Sequence, residues 1–340
     1  MKAIFAPRKQ QDRPKLEQHI PLSAPFIISV DPSDKCSLRC SFCPTSDHDL
    51  MKKTPGRWHG PMEFNLFKKI VDDIGKFERP IKVLRMYKDG EPFANPRFAD
   101  MVAHAKRSGC SEVVDTTTNA TLLTKEKSRA IVEAGLDLMN ISIYGMNDAQ
   151  YRKFCGQSYG FDKMIENIRY LYAISRGRMK INIKMNGDVV PEETKGEFLR
   201  VFGDICDMIN IEHVMSCWSN FDYEAHGIQI NPDLTIYGTG APREVLVCPY
   251  VFYSFSINSD GTASACFLDW DRQRLVGDAK TESVVDIWRG AKLNAIRELM
   301  LRGDRKSFLP CATCGQMTHG ESDDIDPHRE MLLKKFMASK

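Results

Sequence analysis

Six short runs rich in Val, Ile and Met recur along the first two thirds of the chain: PFIISVD (25–31), IKVLRMY (81–87), EVVDTTT (112–118), DLMNISIY (137–144), KINIKM (180–185) and INIEHVM (209–215). Apolar runs of this length, bounded by turn residues, read as strands. Helix-like stretches separate them. NLFKKIVDDIGKF (65–77) sets Leu66, Ile70 and Ile74 on one face, and PRFADMVAHAKRSG (96–109) stops at Gly109. TKEKSRAIVEAG (124–135) starts at Thr124 as N-cap and stops at Gly135, and FDKMIENIRYLYAISRG (161–177) follows the same style. The alternation predicts an α/β fold of parallel βαβ units, wound right-handed into an open sheet or a partial barrel. In such folds reactive groups gather at the carboxyl ends of the strands.

Composition removes several function classes. The 340 residues are 42% hydrophobic, enough for one large domain or a medium and a small one. A formal net charge of +2 gives no reason to expect general binding to nucleic acid or membranes. No apolar run reaches the roughly 18 residues of a membrane span. The first 20 residues carry charges but no apolar core of a secretory signal, so a cytoplasmic location is expected. In a reducing compartment the eleven cysteines point to metal or redox chemistry rather than disulfides.

The unusual residues fall on one predicted rim. Cys36 follows the first strand, Asp89, Gly90 and Glu91 the second, and Thr117, Thr118 and Asn119 end the third. Ser142, Tyr144 and Gly145 end the fourth, and Met185 and Asn186 the fifth. CSLRCSFCP (36–44) sets Cys36, Cys40 and Cys43 in the spacing C-x3-C-x2-C. Three thiolates suit an iron–sulfur cluster with one iron left open. A zinc site completed by His48 or Asp47 is the alternative. A second set, Cys248, Cys266, Cys311 and Cys314, would be gathered by a hairpin at NSDG (258–261), with Cys266 on its returning strand, and by a helix over 283–301. Four thiols make a closed site for a cluster or for zinc. Cys110, Cys155, Cys206 and Cys217 read as small buried hydrophobes.

These motifs resemble the radical S-adenosylmethionine (SAM) superfamily over about residues 25–215. Its signature is matched by Cys36, Cys40, Phe42 and Cys43. DGEP (89–92) resembles the family's GGEP turn, with Asp89 in place of its first glycine; TTNATLLT (117–124) resembles its TNGTLLT strand end; ISIYG (141–145) resembles ISIDG, with Tyr144 in place of the acid. The resemblance implies a partial (β/α)6 TIM barrel. It implies SAM bound to the open iron of a [4Fe–4S] cluster, with cofactor contacts from Phe42, Gly90, Glu91, Asn119, Ser142 and Met185. One-electron cleavage of SAM would then yield a 5′-deoxyadenosyl radical that abstracts hydrogen. C-x12-G-x4-C followed by CATC (311–314) is similar to the auxiliary-cluster domain of the SPASM/Twitch branch. With no cysteine after Cys314, it fits the short Twitch form with one auxiliary [4Fe–4S] cluster.

Separations of 18, 45 and 3 positions between the second set of cysteines are similar to those of 2-deoxy-scyllo-inosamine dehydrogenase-type enzymes. That implies oxidation of an alcohol in a small polyol, sugar or aminocyclitol, with the auxiliary cluster taking the second electron. A reducing partner such as flavodoxin or ferredoxin is implied too. Sugar epimerisation and maturation of a ribosomal peptide are the alternatives; peptide enzymes often carry an N-terminal recognition domain, for which the 24 residues before the first strand are too few. The expected layout is an N-terminal extension (1–24), barrel (25–215), linker lining the substrate site (216–244), auxiliary domain (245–318) and helical tail (319–340). Within the linker, Trp218, Asn220, Asp222, Tyr223 and His226 are the candidates for reading substrate hydroxyls. The tail is expected to pack on the barrel opening or on another subunit.

Overall fold

The computed structural model describes residues 2–6 and 14–338; Met1, residues 7–13 of the N-terminal segment and 339–340 of the tail lie outside them. Its spine is a ten-stranded sheet: β1 (Ile4–Phe5), β2 (Ile27–Val30), β3 (Ile81–Arg85), β4 (Ser111–Thr118), β5 (Leu138–Ile143), β6 (Lys180–Asn186), β7 (Met208–Glu212), β8 (Ser254–Ile257), β9 (Thr262–Ser264) and β10 (Leu275–Asp278). The spatial order is β1-β7-β6-β5-β4-β3-β2-β8-β9-β10. From β2 to β7 every neighbour is parallel and consecutive, with a helix in each connection. This is the expected partial (β/α)6 barrel.

Three features differ from the sequence reading. The N-terminal segment adds a strand, since β1 pairs parallel with β7. The C-terminal hairpin joins the barrel's own sheet, because β8 lies parallel to β2, with Ile28 opposite Phe255. The helix expected over 283–301 is two helices, Val284–Arg289 and Ala291–Arg302. Gly290 between them has φ −68° and ψ 155°, and a Cβ there would lie 2.9 Å from the Asp286 carbonyl. The apolar period runs through the break, so the pattern alone could not reveal it.

Local signals explain the helices that position the rim. Helix Phe64–Ile74 buries Phe67, Ile70, Val71 and Ile74, spaced i, i+3, i+4, i+7, while Leu66 sits at the margin of that face. Thr124 accepts from the Lys127 amide at 3.2 Å, as an N-cap should. The tail helix Arg329–Ala338 buries Leu332 and Phe336 in a small core with Met300, Leu301 and Met317, so within the chain it covers the C-terminal domain rather than the barrel opening.

Where the hairpin meets the ends of β2 and β3, the seam is filled with charge. Asp89 is contacted by Arg57 Nη1 at 2.6 Å, Lys88 Nζ at 2.7 Å and Arg272 Nη1 at 3.4 Å. All four side chains are essentially inaccessible. Burial alone would raise the Asp89 carboxyl, but Lys88, Arg57 and Arg272 hold it at about 2. Asp31, at the end of β2, has no such partner: neither carboxylate oxygen makes a hydrogen bond among the described residues. Burial first, and then Asp89, push its carboxyl up to about 7.

The sign of the resulting pH dependence follows. Between the ordinary value of 3.8 and about 7, the folded chain keeps a proton that the unfolded chain has released. Asp31 therefore makes stability fall as pH rises through that window, with no further change above it. Asp31→Asn removes the titration. Relative to the unsubstituted protein, its stability should climb between about pH 4 and about pH 7 by on the order of 2–4 kcal/mol. Denaturant midpoints measured at both ends of the window check this; a constant difference would show that Asp31 ionises freely in the fold.

Candidate active site

The thiol loop leaves β2 and is fixed from two sides. Arg39 and Ser41 donate their amides to the carbonyls of Cys155 and Phe154. On the other side lies the Asp89–Pro92 turn. A Cβ on Gly90 would sit 2.1 Å from the Ser33 carbonyl and 2.6 Å from that of Lys35, and the Glu91 amide donates to the Lys35 carbonyl at 3.0 Å. Only glycine permits this approach. Glu91 is buried, and its carboxylate accepts from the Phe93 amide at 3.1 Å, the Thr118 hydroxyl at 2.7 Å and the Asn119 amide at 2.8 Å. Burial raises its pKa, and these donors oppose the shift. Asn119 turns back to the loop, its Nδ2 3.5 Å from Cys36 Sγ and 3.1 Å from Ser37 Oγ.

Cys36 and Cys43 are half-buried and Cys40 is buried. Burial, followed by the nearby Glu91 carboxylate, pushes the Cys36 thiol up to about 12. Thiols so disfavoured as anions gain from a metal, which takes them as thiolates. Donors for that state are present: the Leu38 amide at 3.5 Å from Cys36 Sγ, and Thr45 Oγ1 at 3.3 Å from Cys43 Sγ.

The second set assembles as the hairpin and CATC require, although Cys266 lies two residues past the end of β9. Burial raises the Cys248 thiol, and the proximity of Cys266, Cys311 and Cys314 raises it further. Arg274 directs Nε at Cys311 Sγ from 3.4 Å and is held by Asp269 and Ser219. A buried cation and the Leu268 amide, 3.4 Å from Cys266 Sγ, suit a set of anionic sulfur ligands.

A cavity of about 190 Å³ opens at the ends of β5, β6 and β7. Phe42 and Tyr144 line it, with ring centroids 5.2 Å apart, together with Ser142, Lys184, Glu212 and Trp218. Lys184 Nζ meets Glu212 Oε2 at 2.6 Å. Phe42 and Ser142 thus share one cavity at the strand ends, whereas Met185 lies in the core and its neighbours Lys184 and Asn186 face the cavity.

The linker candidates separate. Trp218 reaches the cavity, and Tyr223 is buried behind it, its hydroxyl accepting from the Trp218 amide at 3.1 Å. Asn220 donates to Asp271 at 2.8 Å. Asp222 is exposed and caps the Ala225 amide, and His226 stacks on Phe221 beside a different groove with Asp188.

The residues missed in sequence are Lys184 and Glu212, which the strand-end rule would have found, and Cys217. The Cys217 thiol lines the cavity, lies 3.9 Å from Tyr223 Oη, and is within electrostatic range of both Cys314 and Cys43. Cys155 likewise abuts Cys40.

Comparison with known proteins places this arrangement. The family model described as the radical SAM superfamily matches residues 30–205, just over half of the chain, and the iron–sulfur cluster-binding domain model matches 248–315. A Pyrococcus furiosus protein named tungsten-containing aldehyde ferredoxin oxidoreductase cofactor-modifying protein is 36% identical over 123 residues, which is 36% of this chain and 32% of that one. Across three curated relatives the match spans 28% to 48% of the relative's own length. Two solved structures share the fold. BtrN in complex with AdoMet and 2-DOIA superposes with TM-score 0.56 at 15% identity, covering 88% of this chain and 97% of that one. Streptococcus suis SuiB bound to the precursor peptide SuiA gives 0.61 at 14% identity, covering 91% and 74%. The cofactors that go with these domains are SAM, a [4Fe–4S] cluster and an auxiliary iron–sulfur cluster, so iron and not zinc belongs with the second thiol set. The chain is a member of the radical SAM superfamily with a SPASM-type iron–sulfur domain at its C-terminal side.

Proposed function

We propose that this chain abstracts hydrogen from a carbinol carbon of a small polyol, sugar or aminocyclitol and releases the ketone. When bound, SAM and the cluster at Cys36, Cys40 and Cys43 supply the hydrogen-abstracting radical, and the cluster at Cys248, Cys266, Cys311 and Cys314 supplies the acceptor for the second electron. The observation that carries the reading is the position of Cys217: it lines the cavity and is electrostatically close to a cysteine of each set. A substrate there lies between the radical source and the electron sink.

The chain's own residues do the rest. Glu91 and Asn119 hold the thiol loop and its SAM-facing side in register. Phe42 and Ser142 would flank the nucleoside of bound SAM, and Trp218 would offer a face to the C–H side of a ring. Glu212, its Oε2 paired with Lys184, is placed to accept the alcohol proton. One hydrogen atom, one proton and one electron leave the alcohol, and the ketone remains. Exposed Lys35 and Arg39 beside Cys36 suit the approach of an acidic reducing partner of flavodoxin or ferredoxin type. The complex of BtrN with 2-DOIA supports this substrate class by analogy, and that of SuiB with a peptide supports the competing one.

Cys217 also favours a second reading. A thiol at the cavity can return a hydrogen atom to a substrate radical, and the reaction is then epimerisation.

Four outcomes are expected. Anaerobically reconstituted protein given dithionite should release 5′-deoxyadenosine and methionine from SAM; binding without cleavage under any reductant would sink the reaction. Glu91→Gln should keep its iron but bind SAM about ten- to hundredfold more weakly, since the Asn119 amide then faces an amide in place of a carboxylate; unchanged affinity would reduce the turn to a structural element. With a substrate deuterated at the carbinol carbon, label should enter 5′-deoxyadenosine and the product should be the ketone. Cys311→Ala/Cys314→Ala should depress ketone yield more than uncoupled SAM cleavage. An alcohol product carrying solvent hydrogen at that carbon, abolished by Cys217→Ala, would establish the epimerase instead.

A further inference from the structure

Arg274, in the connection between β9 and β10, is buried, and its guanidinium donates in three directions. Nε donates to Cys311 Sγ at 3.4 Å, Nη1 to Asp269 Oδ1 at 3.1 Å and Nη2 to Ser219 Oγ at 2.9 Å. Ser219 is itself fixed, its hydroxyl donating to the Pro310 carbonyl at 2.5 Å and its carbonyl accepting from Trp270 Nε1 at 2.7 Å. The Arg274 carbonyl accepts from the amide of Ala265, the residue before Cys266, at 2.8 Å. One residue thus joins two loops of the second thiol set to Ser219, which follows the cavity-lining Trp218.

Stability does not account for this placement, because a buried ion pair such as Arg274–Asp269 is often no better than an apolar pair of the same volume. The direction of Nε is more informative. A thiol is a weak acceptor, and a thiolate ligand is a strong one, so a guanidinium nitrogen aimed at Cys311 gains most when that sulfur is anionic. The first thiol set has no such donor. Its sulfurs meet neutral groups: the Leu38 amide and Asn119 Nδ2, each 3.5 Å from Cys36 Sγ, and Thr45 Oγ1, 3.3 Å from Cys43 Sγ. Arg57, the cation nearest to Cys43 in effect, spends Nη1 on Asp89.

We infer that Arg274 is the positioning residue that makes the second thiol set the electron-accepting one, an inference that rests on the oxidation proposed above. A donor on a ligand sulfur stabilises the more negative, reduced form of a cluster and raises its reduction potential. A charged donor does so more strongly than a neutral one. Asp269 balances the guanidinium through Nη1 and leaves Nε to the sulfur. The same donor at the first set would work against its task, which is to give an electron to SAM. In the oxidation, the hydrogen atom goes to the 5′-deoxyadenosyl radical and the alcohol proton to Glu212. The remaining electron passes to the second set as the C–O bond becomes C=O. Through Ser219, Arg274 also ties the cavity wall to the acceptor whose potential it raises.

The test is a redox titration followed by electron paramagnetic resonance. It uses the full chain carrying Cys36→Ala, Cys40→Ala and Cys43→Ala, so that iron loads the second set alone. Adding Arg274→Gln, which removes the charge, should leave the iron content unchanged and make the midpoint more negative. The equilibrium constant for taking up one electron should fall at least about tenfold, which is about 59 mV. Arg274→Lys keeps the charge but loses the fork that serves Cys311, Asp269 and Ser219 together, so its midpoint should fall by a smaller factor. If Arg274→Gln does not load iron, Arg274→Lys decides. A residue that only packs the domain would leave the midpoint where it is, and an unchanged midpoint at full iron content would overturn the inference. In the chain loaded at both sets, Arg274→Gln should lower the ketone formed per 5′-deoxyadenosine released. A lowered midpoint with no ketone from any polyol, sugar or aminocyclitol would uphold the effect of Arg274 on the potential and overturn the oxidation instead.

Discussion

Gly90 has no room for a side chain, and much of the site follows from that. Its Cα lies against the Ser33–Lys35 backbone, immediately before Cys36. The contact locks the end of β3 to the thiol loop after β2. Glu91 then extends the lock to β4 through Thr118 and Asn119, and Asn119 closes it on Cys36 and Ser37. Three strand ends and the loop are thereby held by backbone contact and short hydrogen bonds, before any cofactor arrives. Such pre-organisation matters when a cofactor must present one reactive atom in one direction.

Asp89, the residue before Gly90, shows how a departure from the family pattern is accommodated. The family's GGEP turn has glycine here. An aspartate at this buried place demands counter-charge, and Arg57, Lys88 and Arg272 supply it from three parts of the chain. In this chain the counter-charge comes from the loop residue Arg57 and from Arg272, which lies between β9 and β10. Truncating any one partner would leave buried charge uncompensated, which is far more costly than the pair is stabilising.

The sequence made the repetitive parts legible. Six apolar runs and their Gly109 and Gly135 stops located the barrel, because periodicity and helix ends are local properties. Cys36, Cys40 and Cys43, and the pair Cys311 and Cys314, could be read because spacing within a loop is local too, whereas Cys248 and Cys266 were joined to that pair through the family resemblance. Other features depend on residues far apart in the chain. Asp31, Asp89 and Arg272 meet only after the hairpin pairs with β2. Cys217 read as one more buried cysteine, and only the fold shows it on the cavity wall near Cys43 and Cys314. The break at Gly290 was hidden for the opposite reason: the local apolar period continues through it, and the extended backbone of Gly290, ψ 155°, ends the helix.

The joining of β8 to β2 gives the two-cluster arrangement its mechanical basis. If the C-terminal domain were tethered only by the linker, the distance between thiol sets would vary with linker motion. Instead four residues of β8 pair in register with Ile27–Val30, the strand that launches the thiol loop. Trp288 adds a hydrogen bond to the Leu22 carbonyl and ring contact with Phe255, and the Arg297 guanidinium lies over that indole at 3.9 Å. Electron transfer between centres falls steeply with separation, so a sheet that fixes the separation also fixes the rate. The proposed oxidation needs such a fixed sink, because a substrate radical that waits for its second electron can be quenched by the Cys217 thiol instead. In the proposed reaction, rigidity at β2–β8 and the reach of that thiol would compete to decide between ketone and epimer.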